Sequence, residues 1–239
     1  MPFRPILGNY FNYFSEIEEH YQRRRGTIMP LSTLDWALIE TWKDAGIPLE
    51  AVLRGVDTAF DRYEQRPSKT SKINSLAYCA QAVLTTAEDM KEASVGVASE
   101  SKANRGFESD EIVSFLRRNA GGLQRAALPS QPGISPKIVA VEVASALIEM
   151  ANDLEGKPLP ARLEDLERKL AVLEDKLFAV LLAAIADDEV CGVRAQADRE
   201  LAPYRRKMPA GQVEQLEKQY VHKKLLEKYE LPRLSLFYM

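Results

Sequence analysis

The chain has 239 residues, of which 46% are apolar and 28% charged, with a formal net charge of −3. That composition supplies material for one large or two small packed domains and argues against wholesale disorder. It provides no global basic field, so any nucleic-acid role would have to use a local patch.

The longest apolar run, Phe178 to Ala186, is far short of the roughly 20 residues of a membrane span. The opening Met1-Pro2-Phe3-Arg4-Pro5 lacks the apolar core of a secretory signal. Cys79 and Cys191 are the only cysteines; two lone thiols build neither a disulfide framework nor a metal knuckle. A soluble, cytoplasmic protein is the expectation, with no membrane partner.

In chain order, the first helix is expected from about Asn9 to Arg25, because Tyr10, Phe14, Ile17 and Tyr21 recur on one helical face. Arg23, Arg24 and Arg25 fill its last turn, where positive charge suits the macrodipole, and Gly26 ends it. Ser32, with Asp35 three residues on, reads as a short capping box opening a second helix. That helix carries Leu34, Leu38, Ile39 and Trp42 and stops at Gly46 in a left-handed conformation. Pro48 suits the first turn of a third helix, whose stripe is Leu49, Val52, Leu53, Val56, Phe60 and Tyr63. Asn74 is expected to cap a fourth helix running through Leu76, Cys79, Ala80, Val83, Ala87 and Met90.

Residues 94–108 are rich in Ser, Ala, Gly and charge without periodicity, the pattern of a linker. The expected division is therefore a module over 1–93, a linker over 94–108 and a C-terminal helical bundle over 109–239. Within that bundle Ser109 starts a helix with Ile112, Phe115, Leu116 and Leu123, its end weakened by Gly121-Gly122. After Pro136, Val139, Val141 and Val143 alternate as in a strand. The apolar pattern nevertheless continues to Leu154, a length that favours a helix.

From Leu159 the steps become regular: Leu163, Leu166, Leu170, Leu173, Leu177, Val180 and Ala184 trace a heptad-like seam. The phase fails beyond Asp187. A last helix is expected over Pro209–Tyr229, and the segment after it is apolar, with Leu234, Leu236 and Phe237. The expected fold class is all-α, with a compact N-terminal four-helix module and a C-terminal bundle built on one long helix.

Motifs for catalysis are lacking. Gly121-Gly122 has no flanking phosphate-loop signature. His20 and His222 stand far apart, and Glu16–His20 is at most half of a helical metal site. Both read as solvated histidines, and both cysteines read as packing residues without a neighbouring base. The expectation is no catalytic residue, no metal, no cofactor and no enzyme, although scattered carboxylates leave room for one. Charge divides along the chain: residues 138–191 carry twelve acidic and five basic residues, and residues 192–239 carry ten basic and six acidic. Within the basic stretch, Arg205-Arg206-Lys207 precedes the last helix.

A resemblance is carried by five stretches: Leu31-Ser32, Leu38-Ile39-Glu40-Thr41-Trp42, Gly46-Ile47-Pro48-Leu49, the Val52-Leu53, Val56, Ala59 helix, and Ile73-Asn74-Ser75-Leu76-Ala77-Tyr78. On these residues the span 10–83 resembles the helical module of DnaD-like bacterial and phage replication-initiation proteins. In that family a Tyr, then Ile-Leu, then Trp closes the module and contributes to DNA binding. Here Tyr78 is followed by Cys79 and later Val83-Leu84, without the Trp.

The resemblance implies a replication- or mobile-element-like, DNA-associated protein. Arg23, Arg24, Arg25, Lys69 and Lys72 are its candidate phosphate contacts, with Tyr78 beside them. The alternative is a helical adaptor or structural subunit, partnered or self-associated through Leu163, Leu166, Leu170, Leu173, Leu177, Leu236 and Phe237.

Overall fold

The computed structural model describes residues 12–66, 72–93, 109–157 and 163–239. Among these, nine α-helices and no strand occur, so the chain is all-α. The alternating valines belong to a helix, as their length favoured. The expected linker at 94–108, Tyr10 of the first expected helix and Leu159 at the start of the seam lie outside the described residues. By packing, the chain divides into two compact units, Met1–Asn104 with Arg194–Val221, and Arg105–Val193 with His222–Met239. That replaces the expected single bundle over 109–239. A division drawn from linker composition assumes contiguous units, and these are not.

In the first unit, α1 (Tyr13–Arg25) buries Tyr13, Phe14, Ile17 and Tyr21, and ends at Gly26 with φ +71°. In α2 (Thr33–Asp44) the Ser32 hydroxyl accepts from the Asp35 N–H, and the Asp35 carboxylate accepts from the Ser32 N–H, both at 3.2 Å. The capping box thereby satisfies two donors that a helix start leaves open. Gly46 follows with φ +70°. α3 (Leu49–Glu64) buries Val52, Val56 and Phe60 against α1 and α4. The Tyr13 hydroxyl donates to the Ile47 carbonyl at 3.0 Å, and Phe14 stacks on Trp36.

The fourth helix does not start at Asn74. A 3₁₀ turn, Leu76–Tyr78, capped by Ser75, intervenes before α4 (Ala80–Ala93). Asp35 sets this geometry by accepting from the Ser75 hydroxyl at 2.6 Å and the Leu76 N–H at 2.7 Å.

The second unit contains α5 (Ser109–Arg125), α6 (Pro136–Leu154) and α7 (Leu163–Ala184), with α5 packed on α6 and α6 on α7. α5 runs through Gly121-Gly122 without breaking. Lys137 finishes it, its ammonium donating to the carbonyls of Gln124 at 2.6 Å and Ala126 at 3.0 Å. Positive charge on the last carbonyls is what the negative end of the helix dipole favours. Pro136 occupies the first turn of α6, where its missing N–H costs nothing, and Gly156, with φ +69°, follows its end.

α8 (Asp187–Leu201) has no counterpart in the sequence expectation; α9 (Ala210–Lys228) matches the expected last helix to within a residue at each end. Asp187, Asp188 and Glu189 fill the first turn of α8, where acidic side chains complement the macrodipole. Its buried residues reduce to Val193, Ala197 and Leu201, a stripe too thin to stand out as a period. No helix among the described residues is long and apolar enough to cross a membrane.

Candidate functional site

Two of the expected phosphate contacts, Arg24 and Arg25, are engaged by the chain itself. Arg24 faces three carboxylates of α3, lying 3.5 Å from Asp57 and 3.7 Å from Glu64 and hydrogen-bonding Asp61. Arg25 donates to the Thr27 hydroxyl at 2.8 Å and the Met29 carbonyl at 3.0 Å, and lies over the Tyr21 ring. Arg23 is 64% exposed and 4.0 Å from Glu19. Lys72 is exposed, whereas Lys69 lies outside the described residues. Tyr78 is half-buried, edge-on to Tyr63 and covered by Arg66. Of the described groups, Arg24 is turned onto the acids that α3 places against α1.

The expected partner seam is the chain's own core. Leu166, Leu170 and Leu177 are buried, Leu163 and Leu173 half-buried. Leu236 is buried and Phe237 half-buried. Heptad-like spacing identifies an apolar helix face but not what covers it. Here two carboxylates on that side of α7, one heptad apart, hold the segment after α9. Glu167 accepts from the Ser235 hydroxyl at 2.6 Å and the Leu236 N–H at 2.8 Å. Glu174, itself buried, accepts from the Leu234 N–H and lies 3.1 Å from Arg233 Nε.

His222 completes this cluster. Arg233 Nη1 meets its Nδ1 at 3.0 Å, its Nε2 faces Glu174 at 3.7 Å, and Phe178 packs edge-on against the ring. An arginine donates only, so His222 accepts at Nδ1 and carries its proton on Nε2, toward the carboxylate.

The same latch occurs in both units. Ser75-Leu76-Ala77-Tyr78 and Ser235-Leu236-Phe237-Tyr238 each form a 3₁₀ turn. In each, a helix-borne carboxylate accepts from the Ser hydroxyl and the next N–H, and the Ser hydroxyl accepts from the N–H two residues on. In each, the Tyr ring lies under an arginine, Arg66 or Arg233. The shared Ser-Leu-x-Tyr pattern was the available signal in the sequence, and it was missed because the receiving acids are far away along the chain.

Both histidines are half-buried and engaged by the chain, not freely solvated. His20 Nε2 lies 2.9 Å from Asp57, and His222 sits in the cluster above. Among the described residues no group of three His, Cys, Asp or Glu could hold a metal ion. Cys79 is buried, and burial together with the nearby Asp35 charge pushes its thiol up to about 12. Cys191 is exposed on α8 rather than packed. A thiol-reactive probe at neutral pH is therefore expected to label Cys191 alone in the native chain, and Cys79 only after denaturation. Equal native labelling of both would show that the first unit opens at Cys79.

Two surfaces remain. The first unit has a cleft of about 530 Å³ lined by Trp42, Ile47, Leu84, Pro209 and Gln212, among others. The Trp42 indole N–H and the Gln212 carbonyl oxygen are buried there without a protein partner. In the second unit, Ile138, Val141 and Ile148 of α6 are 63%, 45% and 36% exposed, and Val172 of α7 is 62% exposed. These four outnumber the other large exposed apolar side chains among the described residues, Ile28 and Met29. Exposed apolar groups gathered on one face mark interaction surfaces, whereas scattered ones need no explanation.

Compared with curated proteins and with solved structures, the chain matches none. A family model described only as "Uncharacterised protein" matches residues 12–98, the stretch that contains α1 to α4.

Proposed function

We propose that the chain is a non-catalytic helical assembly protein whose partner is another protein chain. The observation that carries this reading is the row of Ile138, Val141 and Ile148 left open to solvent along α6, with Val172 open on α7. The pairing of Arg24 with Asp57, Asp61 and Glu64 supports it by removing the centre of the competing cationic patch. The expected result in fluorescence anisotropy is no salt-sensitive binding to labelled single- or double-stranded DNA at low ionic strength.

A second reading, a DNA-associated protein of the replication or mobile-element kind, is favoured by the exposure of Arg23 and Lys72 and by the DnaD-like pattern over residues 10–83. It predicts binding whose logarithm falls with log salt by about 0.9 per phosphate contact. Arg23→Glu with Lys72→Glu would then weaken binding and flatten that slope by about two. Such a result would replace the first reading.

A further inference from the structure

We infer that the α6–α7 face binds a second copy of this chain, forming a two-fold four-helix interface. This inference rests on the assembly reading above and names its partner.

The outward side of α6 follows a three-four repeat. Ile138, Val141, Ser145, Ile148 and Asn152 are all exposed, while Ala140, Val143, Ala144, Leu147 and Ala151 are buried on the other side. The helix thus has two seams, one filled within its own unit and one open. The open seam is apolar at three of five positions and small at its centre, where Ser145 permits close approach of another helix.

Glu142 of α6 pairs with Lys176 of α7 at 2.8 Å. The two lie about equally far from the connection between the helices, so α6 and α7 run as an antiparallel hairpin. One heptad nearer the connection, Glu149 and Lys169 occupy the next equivalent positions, both exposed. Val172 stands between Lys169 and Lys176, open to solvent.

Charge therefore lies in two columns beside the apolar stripe, acidic on α6 and basic on α7. A two-fold axis in the interface, parallel to the helices, sets α6 of one copy over α7 of its partner. Glu142 and Glu149 then face the partner's basic column close to the axis, where Glu142 also pairs with Lys176 of its own chain, and the apolar side chains meet on either side of it. An axis across the helices would instead set acid on acid. Charge complementarity thus selects both the occupant and its orientation. α6 has 19 residues, which at 1.5 Å per residue span about 28 Å. Two hairpins of that length provide the extent on which stable interfaces of roughly 1,200–2,000 Å² are built.

The test is sedimentation equilibrium or light scattering of the full chain over the micromolar range, with circular dichroism as a folding control. The wild type is expected to reach twice the chain mass. Val172→Glu, and separately Lys169→Glu with Lys176→Glu, should raise the dissociation constant at least about tenfold with helicity unchanged. Adding Glu142→Lys and Glu149→Lys to the lysine pair should restore association, because the columns are exchanged rather than destroyed.

A wild-type monomer at every concentration would overturn the inference. A dimer indifferent to these variants would overturn it too, while leaving the assembly reading standing on another surface. Salt-sensitive DNA binding, measured separately, is the result that removes the assembly reading itself.

Discussion

Gly55→Ala is expected to destabilise the chain by about 3 kcal/mol, because overpacking a tight helix contact typically costs 1–3 kcal/mol and sometimes more. A Cβ built at Gly55 would lie 2.5 Å from the Val83 Cα and 2.7 Å from its backbone nitrogen. Rotamer changes cannot relieve a clash with backbone, so α3 and α4 would have to separate. Val52, Val56, Ala59 and Ala80, all buried, share the contact and would lose packing with them. Alanine gains about 1 kcal/mol in helix propensity over glycine, which offsets part of the cost but does not remove the collision. For a chain of this size the expected drop in melting temperature is roughly 6–12 °C. An unchanged melting temperature would show that the α3–α4 contact is looser than its geometry.

Glu174→Ala is the second large effect. The carboxylate is buried, accepts the Leu234 N–H and faces both Arg233 and His222. Its removal takes the acceptor from the buried Leu234 N–H and a carboxylate from beside the Arg233 guanidinium. Breaking a buried pair on one side costs about 3–5 kcal/mol. The release should be local first, because Glu174 and Glu167 are the groups that hold Leu234 to Leu236. Trypsin is therefore expected to cut after Arg233 in the folded variant and to spare that bond in the wild type. Glu174→Gln keeps an acceptor but no charge, and should fall between them. Equal resistance of wild type and Glu174→Ala would remove the carboxylate from any role in holding the segment.

The elements most legible in the sequence were those fixed by neighbours along the chain. Ser32 with Asp35, Gly26 and Gly46 act within a few residues of themselves, and each does what its local chemistry predicts. Legibility fell where the deciding partner is remote. Asp35 meets Leu76 across 41 positions and Glu174 meets Leu234 across 60. Nothing in the spacing of either acid discloses its receiver.

Gly55 had the same difficulty. Its neighbours supplied a clear apolar stripe, but the reason for a glycine at that point lies on α4. The long leucine repeat marks an apolar face that suits a bundle helix or a partner's seam equally, because periodicity states that a face is dry and not who keeps it dry. The surface now proposed for association lies on α6 and at Val172, where isolated valines and isoleucines among charges gave no sign of being left uncovered. The basic residues of α1 were visible, but the acids of α3 that answer Arg24 become their neighbours only on folding.

The interleaved membership of the two units has a consequence for synthesis of the chain. Val193 and Arg194 adjoin within α8 yet belong to different units, as do Val221 and His222 within α9. The first unit therefore cannot reach its final set of neighbours when residue 104 emerges; it must wait for residue 221. At 5–20 residues per second that delay is on the order of 10 s. During it, the surfaces of α1 to α4 that later receive Arg194–Val221 face solvent, chaperones or other nascent chains. The packing of α1 to α4 on one another lies within that early stretch and can form first, whereas the membership of both units is completed only with the late arrival of α9.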